Sequence, residues 1–246
     1  MRIGELEAES AALFGDSPLL LIGATALEIA GCLDHRATED LDFLVALDPN
    51  ALAARLEGRP GWVRGEEAPR WHFGNVELDL IPASSELLAA GEVELQPGVR
   101  LDLTGARRAF ERSRPLHPGV RIADPLSVVL LKMVAFLDRP ADRRRDLGDL
   151  LSVLSNLVTA DDDRLFSDDV LARSLFSERA SAFLAGQELA LDASATERLR
   201  VGAFIERLLH PTKTHDLHLM AREARGIGDV EKTTFVLRAF ADGFGV

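Results

Sequence analysis

Thr38-Glu39-Asp40-Leu41-Asp42-Phe43-Leu44-Val45 decides the fold, because it reads as a strand that opens with two acids one residue apart. Side chains at i and i+2 of an extended strand share a face, so Asp40 and Asp42 are expected side by side, about 6 to 7 Å apart along the backbone. Like charges held that close repel. A divalent cation such as Mg²⁺ relieves the repulsion, since it takes carboxylate oxygens together with phosphates. The apolar run before it, Leu19-Leu20-Leu21-Ile22, ends in Gly23-Ala24-Thr25. A strand over Leu19 to Ile22 and a helix over Ala24 to Ala30, stopped by Gly31, follow from that pattern. If the two strands are neighbours, Gly23 and Asp40 meet at one rim.

A third acid lies in Val76-Glu77-Leu78-Asp79-Leu80-Ile81-Pro82, which alternates as a half-buried strand does. Asp79 is the choice for a third metal-facing carboxylate, with Glu77 its competitor on the same face. Arg70 to Phe73 and Val76 to Ile81 form a hairpin around Gly74-Asn75. Three acids on neighbouring strands make the skeleton of a phosphoryl-transfer site, where catalysis is mainly positioning and charge neutralisation.

Gly23-Ala24, the Arg36-x-Thr38-x-Asp40-x-Asp42-Phe43 segment, Asp79, Lys132 to Arg139 and Asp146-Leu147-Gly148-Asp149-Leu150 occur in an order that resembles the nucleotidyltransferase fold of polymerase-β-like enzymes. Within that fold the chain is similar to AbiE-type toxins of type IV toxin-antitoxin systems. The resemblance covers residues 18 to 155. It implies Mg²⁺ or Mn²⁺ at Asp40, Asp42 and Asp79, an NTP as substrate, and nucleotide contacts from Gly23, Ala24, Thr38 and Lys132. It further implies transfer of a nucleoside monophosphate to an acceptor hydroxyl on RNA, protein or a small molecule, and an antitoxin-like partner. Ala24 departs from the pattern, which carries Gly-Gly or Gly-Ser at this place, and it lacks the hydroxyl a serine would offer. That departure supports an alternative, a catalytically silent nucleotide-binding or toxin-antitoxin interaction module of the same fold.

Lys132 interrupts the apolar run Val128 to Phe136 and is one of three lysines in the chain. A cation there must leave the helix surface or meet a partner, and a compact ammonium suits a triphosphate. Asp146 and Asp149, on one helical face, are expected to bond to Arg139 or to Arg143 to Arg145.

The 246 residues and a 47% apolar fraction suffice for a real core. The expected class is α+β, a nucleotidyltransferase-like mixed sheet flanked by helices over 1–122 and a helical domain over 123–246. Further strands are expected at 93–95, 99–103 and 120–122. Helices are expected at 3–13 and 51–57, from an N-cap at Asp124 to Leu137, and at 142–158, 170–176, 178–189, 195–209, 214–224 and 230–240. No stretch reads as membrane-spanning, and Met1 to Glu7 carries acids where a signal peptide needs basic and apolar residues, so the cytoplasm is the expected compartment.

A net charge of −12 disfavours nucleic-acid binding over the whole surface. Arginines clustered between Arg107 and Arg145 leave room for a basic rim that meets a polyphosphate or an RNA end. An acidic cleft for a polycationic small molecule is a further possibility. Cys32 alone makes no internal disulfide and reads as a small core residue, and His215 with His218 lacks an evident third zinc ligand. P-loop, nucleophile-elbow and zinc-protease motifs do not occur.

Overall fold

The computed structural model describes residues 12–14, 17, 19–33, 40–159, 161–224 and 229–246. His35, Arg36 and Thr38 lie outside the described residues, as does nearly all of the expected 3–13 helix. Two compact units divide the chain, Met1–Leu131 and Lys132–Val246.

The first unit is built on a seven-stranded mixed sheet in the order β3-β4-β5-β2-β1-β9-β8. Its members are β1 (Leu19–Ile22), β2 (Leu41–Val45), β3 (Trp62–Arg64), β4 (Arg70–Phe73), β5 (Val76–Pro82), β8 (Arg114–His117) and β9 (Val120–Ile122). β1 runs antiparallel to β2 and parallel to β9, and β2 runs parallel to β5. Leu19 to Ile22 are all buried, as a central strand covered on both faces requires. β6 (Glu92–Gln96) and β7 (Val99–Asp102) pair as a separate ribbon. The mixed α+β architecture is the one expected from sequence.

Among the described residues these strands are accompanied by the short helices α1 (Gly23–Ile29), α2 (Pro49–Leu56), α3 (Ser85–Ala90) and α4 (Ala106–Glu111). Asp48 caps α2 by accepting from the amides of Asn50 and Ala51, both at 2.9 Å. α3, α4, β3 and β8 are additions to the sequence reading. Each is six residues or fewer, too short for periodicity to show. Their signals are local ones, such as Ser84 capping Leu87 and Gly91 closing α3 at φ +79°.

Helix α5 (Pro125–Asp138) starts where expected, with the Asp124 carboxylate accepting from the amides of Leu126 and Ser127. The second unit continues through α6 (Arg144–Asn156), α7 (Asp168–Ala172), α8 (Glu178–Ala190), α9 (Ala195–Leu208), α10 (His215–Glu223) and α11 (Val230–Phe244). A capping box at Ser194 and Glu197 starts α9. Two glycines let α8 and α11 approach closely. A β-carbon on Gly243 would lie 2.0 Å from the Phe183 carbonyl oxygen, and one on Gly186 would lie 2.3 Å from that of Phe240. The helix expected over 170–176 is cut short at Ala172, and Ser174 and Ser177 have positive φ values.

Among the described residues no helix is long and apolar enough to cross a membrane.

Candidate functional site

Sheet register brings the predicted acids together. Ile22 of β1 pairs with Asp42 of β2, and Asp42 pairs with Asp79 of β5. Partners in register share a face, so Asp42 and Asp79 project side by side from Cα atoms about 4.8 Å apart. Asp40 directly precedes β2 and is exposed, whereas Asp42 is half-buried.

Gly23, the first residue of α1, borders this row. Its φ of +71° lies in the left-handed region, where a side chain is disfavoured. The space a side chain would need is filled: a β-carbon on Gly23 would stand 2.1 Å from Oδ2 of Asp42 and 2.9 Å from its Cγ. The Asp42 carboxylate thus packs against the bare backbone of Gly23. Ala24 is buried. The hydroxyl that Ala24 lacks has a neighbour in Thr25, whose Oγ1 donates to the Asp40 carbonyl oxygen at 3.3 Å and ties α1 to the acidic rim. Thr25 was absent from the sequence-derived set.

Asp79 has a partner within the sheet. Arg70 of β4 stands opposite it in register. The Arg70 Nε donates to Asp79 Oδ1 at 3.2 Å, and Nη1 lies 2.9 Å from Glu77 Oε1. Partial burial works against the charged guanidinium, but the hydrogen bond and charge of Asp79, then the charges of Glu77 and Asp40, outweigh it and raise the Arg70 pKa. Arg70, like Thr25, is not among the residues the sequence singled out. Among the described residues, no group of three or more acids, histidines or cysteines is close enough to hold a metal on its own.

Lys132 lies in the second unit and is bonded there. The residue is 7% exposed, and its ammonium donates to Asp146 Oδ1 at 2.5 Å and to Asp149 Oδ2 at 2.9 Å. Burial penalises its charge, yet the two carboxylates overcome the penalty and raise its pKa. α5 is apolar around Lys132, leaving the side chain no short route to water, and α6 supplies the counter-charges. Asp146 and Asp149 are part of a bonded network, as expected, and Lys132 is a buried cation within it. Elsewhere, His218 Nδ1 sits 2.7 Å from the Thr214 carbonyl oxygen. Cys32 is half-buried and its thiol pKa is raised by burial.

Residues 6–225 match the family described as nucleotidyl transferase AbiEii toxin, type IV toxin-antitoxin system. The chain belongs to the AbiEii family. That match runs past the 18–155 span carrying the sequence resemblance, so the family extends through most of the helical unit as well. A search of curated proteins finds no match.

Proposed function

We propose that this AbiEii-family chain is a metal-dependent nucleotidyltransferase that moves a nucleoside monophosphate from an NTP to an acceptor hydroxyl. The observation carrying this reading is the Asp42 carboxylate seated over the bare Cα of Gly23 and in register with Asp79. Mg²⁺ is commonly held by one or two carboxylates plus substrate phosphates, and Asp40 with Asp42 supply that donor set without a closed cage of protein ligands. When bound, the metal, Mg²⁺ or Mn²⁺, neutralises charge developing on the transferred phosphoryl group.

The chain's own residues do the rest. Asp40 and Asp42 orient the metal-bearing phosphates, with Thr25 fixing the backbone at Asp40. The main chain at Gly23 and Ala24 borders the nucleotide, and Thr38 lies in the segment leading into the acids. Asp79 orients the acceptor hydroxyl and takes its proton as that oxygen attacks the α-phosphorus, with pyrophosphate leaving. Lys132, held by two carboxylates of its own unit, carries no step in this reading. Acceptors compatible with the chemistry are RNA, a protein or a small molecule, and the toxin-antitoxin family supports an antitoxin as partner.

A second reading, a catalytically silent nucleotide-binding module, draws on Ala24 and on the Arg70–Asp79 ion pair. Each α-labelled NTP, incubated with Mg²⁺ or Mn²⁺ and total RNA or cell protein, separates the two. Label transfer that disappears in Asp42→Asn supports the enzyme. Nucleotide binding with no transfer to any acceptor supports the module.

A further inference from the structure

Arg70 is a fixed cation inside an acidic row. Asp42, Asp79 and Arg70 follow one another across β2, β5 and β4 in register. Glu77, two residues before Asp79 on the same strand, receives the other arm of the guanidinium. The arrangement is asymmetric. Asp79 is the more enclosed acid, with its side chain 17% exposed, while Arg70 at 36% and Glu77 at 32% open toward water. A divalent cation brought to Asp42 with a nucleotide repels the guanidinium and weakens its hold on the Asp79 oxygen. Glu77 keeps the displaced guanidinium at the rim, where its planar fork matches phosphate oxygens.

We propose that Arg70 is a resident counter-ion of the acidic row, giving up Asp79 when the metal binds and turning to a phosphate oxygen of the nucleoside triphosphate. The inference rests on the nucleotidyltransferase reading and adds to it a residue with two opposed effects. Arg70 weakens metal binding in the absence of nucleotide and strengthens nucleotide binding once metal is present. Asp79 is thereby neutralised until substrate arrives, and then released as an acceptor for a proton.

The test is Mn²⁺ titration followed by electron paramagnetic resonance, without nucleotide and without turnover, on the whole chain and on Arg70→Gln. Removing the competing cation tightens Mn²⁺ binding by about threefold, the scale of a partly exposed ion pair. At saturating Mn²⁺ the same variant binds a non-hydrolysable NTP about tenfold more weakly, as loss of a charge-assisted hydrogen bond predicts. A merely structural arginine gives a different pattern, because disruption of the sheet weakens both. Arg70→Lys serves if the glutamine variant does not fold: one ammonium spans the two carboxylates poorly, and it shifts both affinities in the same directions by less. Unchanged Mn²⁺ affinity in Arg70→Gln, with binding lost in Asp42→Asn, overturns the Arg70 inference and leaves the metal site standing. Absence of Mn²⁺ binding in the unaltered chain, with or without nucleotide, overturns both.

Discussion

Gly23→Ala perturbs the site through two separable causes. The first is backbone: an alanine held at φ +71° costs about 1–2 kcal/mol relative to a right-handed conformation. The second is contact, since the new methyl group would stand 2.1 Å from Asp42 Oδ2. Relief requires the carboxylate to retreat by more than about 1 Å to reach ordinary van der Waals separation. Together these predict a loss of about 2–3 kcal/mol, or roughly 5–10 °C in melting temperature for a unit of this size. On the proposed reaction, a displacement on that scale at Asp42 lowers the transfer rate by about 100-fold.

Gly31→Ala is the matched control. Its φ is +74°, and a β-carbon there meets nothing within 4 Å. It bears the backbone cost alone and leaves the acids where they are. Thermal melts and Mn²⁺ titration of both variants separate the terms: Gly23→Ala loses stability and metal affinity, and Gly31→Ala loses only stability. Equal behaviour of the two variants in both assays refutes the claim that the Asp42 carboxylate depends on the empty side of Gly23.

The remaining predictions concern the second unit. Lys132→Met removes the buried cation that bonds both Asp146 and Asp149 and destabilises the chain by about 3–5 kcal/mol in urea unfolding, whereas replacing all three residues with leucine or methionine recovers most of that loss. The Lys132 pKa is raised, so its contribution is complete below its unfolded value of about 10.4 and declines as pH rises through the higher folded value. The stability difference between the unaltered chain and Lys132→Met therefore shrinks as pH rises above about 10.4. Gly243→Ala pushes α11 off the Phe183 carbonyl oxygen and costs about 1–3 kcal/mol, measured by the same unfolding.

The strands and the turn that carry the candidate acids were legible in the sequence because they depend on local periodicity. Alternation put Asp79 on a strand and Gly23 marked the strand-to-helix turn, whereas the i, i+2 spacing treated Asp40 and Asp42 as one strand face and β2 begins only at Leu41. The Arg70 pairing was within reach as well. A two-residue loop at Gly74-Asn75 sets Phe73 opposite Val76, and counting back sets Arg70 opposite Asp79. What sequence could not supply was sheet order. Nothing local states that β5 lies parallel beside β2, and only that pairing puts Asp79 next to Asp42. Lys132 shows the same limit from the other side: its apolar surroundings announced a buried cation, but its partners lie 14 and 17 residues along the chain, on another helix.

The central claim is that the rim beside Gly23 holds a divalent metal on Asp40 and Asp42. Anomalous diffraction from crystals grown with Mn²⁺ and a non-hydrolysable NTP tests it most directly. The account predicts an anomalous peak about 2.0–2.2 Å from an Asp42 oxygen and in contact with the triphosphate. A peak at another place in the chain, or nucleotide bound with no metal at these carboxylates, contradicts it.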